Sequence, residues 1–201
     1  MRRRVRRIIL AFALLVVASG IVTRIAYVNS TMPKIPQESY DEGEWVALDG
    51  AFQDVNSENT QGYSLKVEGA TLCTHDEYLT KYGVTPDEPG KYGGAQCVVD
   101  VEIHVRNEGN DSGGLNMFEM VLVPTRANEY LLYDSDLWAQ VQRGGGDAVS
   151  IRPGTEFVMH VPYTVNSNEA GKYADAIRDR DFNLVVARMP RRMTIAVHVS
   201  E

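Results

Sequence analysis

The chain has 201 residues, of which 20 are basic, 27 are acidic and two are cysteines. Six arginines lie in the first 30 residues, so the rest carries 14 basic residues against 27 acidic ones, a formal charge of −13. This acidity argues against nucleic acid and anionic lipid as partners of the later part. About 170 residues suffice for one domain with one hydrophobic core.

The first 29 residues form a basic tip followed by an apolar run. Five arginines lie between Arg2 and Arg7, and the 21 residues from Ile8 to Val28 are interrupted by one charge, Arg24. This length matches a membrane-spanning helix, and the arginines favour a cytoplasmic N-terminus. We expect residues 1–29 to be a signal anchor in the cell membrane, single-pass, with an extracellular C-terminal domain. The alternative is a signal peptide, cleaved near Ala18-Ser19-Gly20, and a secreted protein.

Residues 30–61 have the composition of an extracellular stalk. Pro33 and Pro36 lie near its start, and acidic and amide residues are frequent. Trp45, Leu48 and Phe52 are expected to attach its far end to the domain as a first short strand or a clasp.

From Gly62 the hydrophobic period changes to two, which predicts strands over residues 62–201. The predicted strands after the first are separated by turn residues and extend over residues 97–107, 118–123, 130–133, 147–151, 157–165, 182–187 and 193–199. Two short helices are predicted, Thr74–Tyr82 and Glu169–Arg178. This pattern indicates an all-β, antiparallel sandwich, and a barrel is the alternative architecture.

The clearest alternation predicts which side chains form the core. Val99, Val101, Ile103 and Val105 should be buried. Asp100, Glu102, His104 and Arg106 should face solvent or a polar partner, because a shift of one residue would reverse every position.

Cys73 and Cys97 are the two cysteines, each at the edge of a strand-like stretch. In an exported domain an even number of cysteines indicates a disulfide. We therefore predict a Cys73–Cys97 disulfide. The wide spacing differs from that of a redox pair.

The strand from Cys97 to Gly109, the turn Arg152-Pro153-Gly154 and the closing strands resemble the telokin-like, immunoglobulin-like extracellular domains of unknown function in Gram-positive bacteria. Residues 58–67 and 77–83 resemble one branch of membrane-anchored proteins of about this length. The resemblance covers residues from about 45 to 199. It implies an immunoglobulin-like sandwich and an extracellular location, and it supplies no functional residue.

No catalytic, cofactor-binding or metal-binding residue is predicted. The four histidines lie far apart in sequence, and neither acidic cluster has the spacing of a known calcium loop. No nucleophile motif occurs, so we do not expect an enzyme. The histidines are His75, His104, His160 and His198, and the two acidic clusters are Asp134-Ser135-Asp136 and Asp179-Arg180-Asp181.

Two functions remain from this sequence. The first is a membrane-anchored module that binds another protein or a component of the cell envelope. The second is an accessory subunit of a membrane transporter or sensor complex, with the helix as the contact surface. An enzyme is a minor alternative, and no cofactor is expected.

Overall fold

The computed structural model describes residues 2–54, 58–90, 94, 96–126, 130–142, 146–165, 177 and 180–200. It contains two compact units, Met1–Lys34 and Ile35–Glu201.

The first unit is dominated by one long helix, α1 (Arg2–Thr31). The part of this helix from Arg3 to Thr31 is long and apolar enough to cross a membrane. A signal sequence near the N-terminus can meet the same criterion of length and hydropathy, so the helix is consistent with either an anchor or a signal sequence. Its large apolar side chains are exposed.

The second unit is mostly β-sheet. Two short helices accompany the strands, α2 (His75–Lys81) and α3 (Ser135–Val141). The strands are β1 (Gln37–Tyr40), β2 (Val46–Ala47), β3 (Tyr63–Thr74), β4 (Gln96–Asn107), β5 (Leu115–Asn116), β6 (Val121–Pro124), β7 (Leu132–Tyr133), β8 (Ala148–Val149), β9 (Thr155–Thr164), β10 (Asp181–Ala187) and β11 (Arg192–Ser200).

The main sheet follows the order β6-β10-β11-β3-β4-β9-β7, and β5 pairs with β8 separately. The two ends of this path meet. Leu122 in β6 and Leu131, just before β7, exchange two backbone hydrogen bonds of 3.1 and 2.8 Å. The sheet is therefore nearly closed into a barrel, which is closer to the barrel alternative than to two stacked sheets.

The antiparallel immunoglobulin-like sandwich is not confirmed, because the sheet is mixed. β11 pairs in parallel with β1 and with β3, whereas the other ladders are antiparallel. Alternation along a strand shows which side chains are buried but contains no information about the direction of the neighbouring strand. The sequence pattern therefore identified the strands without identifying their partners.

Two strands of this sheet, β1 and β2, lie within residues 30–61, which the composition assigns to a stalk. β1 pairs with Arg192–Ile195 of β11, whereas β3 pairs with only the end of that strand, at Val199 and Ser200. β2 pairs with β3 on the other side. The segment therefore pairs with both β11 and β3. Val46, Leu48 and Ala51 are at most 1% exposed.

The core lies inside the nearly closed sheet and has the predicted register. Val99, Val101, Ile103 and Val105 are all 0% exposed. Asp100, from the set predicted to face solvent or a polar partner, is only 2% exposed, because α2 covers it and Lys81 and Tyr82 are its polar partners. Its neighbour Glu102 is partly exposed, in agreement with the prediction.

The helix predicted at Thr74–Tyr82 is confirmed as α2, with Thr74 as its N-cap. α3 was not predicted. Of the predicted helix Glu169–Arg178, only Ile177 belongs to the described residues, and the rest lies outside them.

Candidate functional site

The helix α2 is fixed across the outer face of the sheet by its first turn. The Thr74 hydroxyl accepts a hydrogen bond from the Glu77 amide (3.1 Å), and the Glu77 carboxylate accepts one from the Thr74 amide (2.7 Å). This capping box satisfies two otherwise unpaired amides. The same hydrogen bonds hold the pKa of Glu77 below its usual value. Tyr78 and Leu79 are thereby directed inward onto a second apolar cluster with Val98 and Leu137.

The last turn of α2 contacts a buried carboxylate on β4. The Asp100 side chain is 1% exposed, and its Oδ2 atom accepts hydrogen bonds from Lys81 Nζ (2.8 Å) and Tyr82 Oη (2.6 Å). Its Oδ1 atom has no hydrogen-bond partner among the described residues, and His160 Nδ1 lies 3.6 Å away. A buried charge is tolerated only when it is paired. Lys81 and Tyr82 supply that pairing.

Tyr78 of α2 and Tyr82, the C-cap residue of this helix, connect this cluster to β9. Tyr78 Oη donates to the His160 carbonyl (2.7 Å), and the Tyr82 and His160 rings lie 5.0 Å apart. Burial raises the pKa of both phenols, and the hydrogen bond to Asp100 raises that of Tyr82 further. Both phenols therefore remain protonated donors, and the cluster fastens α2 to β4 and β9.

The cysteines lie beside this cluster and are described as two free thiols. Cys73 pairs with Val98 across β3 and β4, next to an irregularity in the register, so Cys97 is close by. The predicted disulfide is not found in this structure and stays a prediction. Burial, together with the charge of Asp100, raises the pKa of Cys73 to about 12, and burial also raises that of Cys97. Neither thiol is activated as a nucleophile.

An acidic cleft of about 450 Å³ lies between α2, α3 and β7. Asp134, Asp136, Asp87 and Glu88 line it. Asp134 is already used by the fold, because its Oδ1 atom caps the Leu137 amide (2.9 Å) and its Oδ2 atom accepts from Thr164 (3.0 Å). Across the described parts of the chain, no group of three or more His, Cys, Asp or Glu residues is arranged to hold a metal ion.

The four histidines are divided between different contacts. His75 begins α2, and His160 lies beside Asp100. His104 Nε2 lies 2.8 Å from Glu102, and His198 Nδ1 lies 2.9 Å from Asp181. The other half of the second acidic cluster, Asp179, lies outside the described residues.

An aromatic ring flanked by two cations marks the open part of the outer face. The Arg106 guanidinium lies 4.2 Å and Lys66 Nζ 5.2 Å from the centre of the Trp45 ring, distances typical of cation–π contacts. Arg106 also pairs with Glu156 at 2.7 Å. We call this surface the Trp45 face and define it as Trp45, Lys66, His104, Arg106 and Glu156.

Neither the buried Asp100 cluster nor the Trp45 face was predicted from the sequence. The Thr74-x-x-Glu77 pattern was a signal for the first, since it places a helix start directly after β3. No comparable local signal exists for the second, because Trp45 meets Lys66 and Arg106 only through the pairing of β2, β3 and β4.

Comparisons with known proteins give a family and no activity. Neither a search of the curated proteins nor a search of the solved structures finds a match. The resemblance to telokin-like domains of Gram-positive bacteria is not confirmed. A model of a domain of unknown function, DUF5028, matches residues 37–193, which include every main-sheet strand from β1 to β10 and the start of β11. The chain therefore belongs to the DUF5028 family.

Proposed function

We propose that this protein is a membrane-anchored interaction module whose β domain binds a partner protein or a cell-envelope component outside the cell. α1 serves as the anchor, and the arginines between Arg2 and Arg7 keep its start in the cytoplasm by the positive-inside rule. The raised pKa values of both thiols argue against a cysteine nucleophile in this domain.

The observation that carries this proposal is the Trp45 face. Tryptophan and arginine are the residue types most often found where binding energy concentrates in interfaces. Here the half-buried Trp45 ring lies within cation–π distance of both Lys66 and Arg106 on the outer face of the sheet. A preorganised aromatic group loses little conformational entropy when a partner covers it.

Site-specific photo-crosslinking in intact cells tests this function. The photoreactive residue replaces Ala47, which is exposed on β2 two residues after Trp45, and a matched version replaces Ala139, which is exposed on α3. We expect a discrete crosslinked product from position 47 and none from position 139. The amount of crosslinked product from position 47 should fall in the Arg106→Glu variant. It should persist in the Arg152→Glu variant, which makes the same charge change at an exposed arginine elsewhere.

Equal products from both positions, or a product at position 47 that Arg106→Glu leaves unchanged, would contradict the proposal. The mass of the product distinguishes a polypeptide partner from a glycan.

A further inference from the structure

One edge of β9 is only partly used by the sheet. β4 pairs with β9 along its whole length, from Val98↔Thr164 to Asn107↔Thr155. On the opposite edge, β7 pairs only with Tyr163 and Thr164. Within the described chain, residues 155–161 of β9 therefore have no strand partner on that edge.

The backbone groups that point to this edge follow from one hydrogen bond. The Asp134 amide donates to the Pro162 carbonyl (3.0 Å) on the β7 side, so Pro162 points away from β4. Alternate residues of a strand point the same way, so Val158 and Glu156 also direct their amide and carbonyl groups outward. The outward carbonyl of His160 already accepts a hydrogen bond from Tyr78 Oη. The open stretch therefore ends before His160.

The side chains of this stretch are apolar on both faces of the sheet. Phe157 is 39% exposed and Val158 is 43% exposed. The one charge in the stretch, Glu156, is held by Arg106 on the neighbouring strand at 2.7 Å. Natural edges are usually protected by lysine, proline or a covering loop. Thr155 to Met159 contain neither lysine nor proline.

We propose that this edge pairs with the same edge of a second copy of the chain, antiparallel and with its two-fold axis at Phe157. Glu156 then lies opposite the partner's Val158, and the outward groups of these residues form about four backbone hydrogen bonds. Phe157 meets the partner's Phe157 at a non-hydrogen-bonded position, where the two side chains are closest.

A second copy fits this edge better than an unrelated strand for two reasons. The open groups at positions 156 and 158 are symmetric about 157, as an isologous contact requires. Because Arg106 neutralises Glu156 within each copy, two identical edges meet without like-charge repulsion. The contact is small, so the dimer is weak in dilute solution. The dimer forms where membrane anchoring raises the local concentration of the chain, a condition that rests on the proposed function.

Disulfide trapping of the full chain in its membranes tests the pairing and its register. We expect Phe157→Cys to give a covalent dimer under mild oxidation. Glu156→Cys should give at least about tenfold less covalent dimer than Phe157→Cys, because position 156 faces position 158 of the partner. The double variant Glu156→Cys with Val158→Cys should restore the dimer. Gln140→Cys, on the exposed part of α3, measures random collision, and the wild-type chain controls for Cys73 and Cys97.

A backbone variant tests the hydrogen bonds themselves. Val158→Pro, placed in the Phe157→Cys chain, removes an outward amide and no bond to β4, as Pro162 does naturally in the same strand. It should reduce the dimer at least about tenfold, whereas Val158→Ala should retain it. An unchanged thermal midpoint confirms that Val158→Pro folds.

The pairing is overturned if Phe157→Cys gives no more dimer than Gln140→Cys, or if Glu156→Cys alone gives as much as Phe157→Cys. These outcomes are independent of whether position 47 crosslinks to a partner, so failure of this inference and failure of the proposed function are distinguishable.

Discussion

Lys81 Nζ lies 2.8 Å from Asp100 Oδ2, which joins the end of α2 to the middle strands of the sheet. The lysine side chain is 46% exposed, whereas the carboxylate is 1% exposed. The pair is therefore asymmetric, because the loss of Lys81 leaves a charge inside the protein and the loss of Asp100 leaves a charge next to water.

Lys81→Ala is expected to lower the free energy of unfolding by about 2 to 4 kcal/mol, because Asp100 keeps only Tyr82 as a donor. Arg188→Ala is the matched control, since the Arg188 side chain is 43% exposed, its partner Glu119 is 30% exposed, and such surface pairs contribute about 0 to 1 kcal/mol. Denaturant unfolding at neutral pH measures both. Similar losses in the two variants would contradict a special role for the buried pair.

The capping box of α2 should make stability depend on pH in a known direction. Hydrogen bonds to Thr74 lower the folded-state pKa of Glu77 below its ordinary value of 4.5. The contribution of the Glu77 carboxylate to the free energy of unfolding is therefore fully present above pH 4.5. It is lost as the pH falls through the lower pKa that Glu77 has in the folded state. Glu77→Gln should weaken this acid dependence.

Thr74→Ala should lower the free energy of unfolding by about 1 kcal/mol near neutral pH, because it removes the cap of α2. Urea unfolding of the wild type and both variants between pH 3 and 7 gives the comparison. Identical pH profiles for wild type and Glu77→Gln would count against the capping role.

The core register predicts a sharp contrast between neighbouring residues of β4. Ile103→Ala should lower the free energy of unfolding by about 2 to 4 kcal/mol, because Ile103 is fully buried and the truncation leaves a cavity. Glu102→Ala, with its partly exposed side chain, should change it by about 0.5 kcal/mol or less. Equal losses would mean that β4 has a different inward face.

The Cys73–Cys97 disulfide is predicted for protein exported by its native host, where the compartment is oxidising. Closing the loop between the two cysteines should raise the free energy of unfolding by about 3 kcal/mol. A non-reduced digest analysed by mass spectrometry detects the bond. Free thiols must be alkylated in denaturant, because burial raises the pKa of Cys73 to about 12 and slows its reaction in the folded chain. Recovery of two alkylated cysteines from exported protein would remove this prediction.

Membrane retention follows from an uncleaved α1. We expect the full chain to remain in the membrane pellet after an alkaline wash, and added protease to digest the domain in intact, wall-stripped cells. N-terminal sequencing identifies the mature chain. A soluble form that begins near Ile21 would show that the N-terminal segment is a cleaved signal peptide.

Local features of the fold were predictable from the sequence, whereas the long-range ones were not. Alternation from Val99 to Val105 identified the core face of β4, and the helix predicted at Thr74–Tyr82 is found as α2. Asp100 has the same alternation as Glu102, and only the docking of α2 separates them. The approach of Leu122 to Leu131 is likewise a product of the sheet path. The hydrophobic periodicity of a sequence contains no information about such long-range contacts.

The position at which the first strand begins determines whether proteolysis near the start of the β domain removes a strand from the sheet. Residues 32–36 are exposed and belong to no strand, and β1 starts immediately afterwards at Gln37. A protease that cleaves at Lys34 releases a domain with every strand in place. Cleavage after Tyr40 detaches β1 instead, which exposes the edge of β11 at Arg192–Ile195. Within the exposed segment 32–36 the chain can therefore be cut without the loss of a strand.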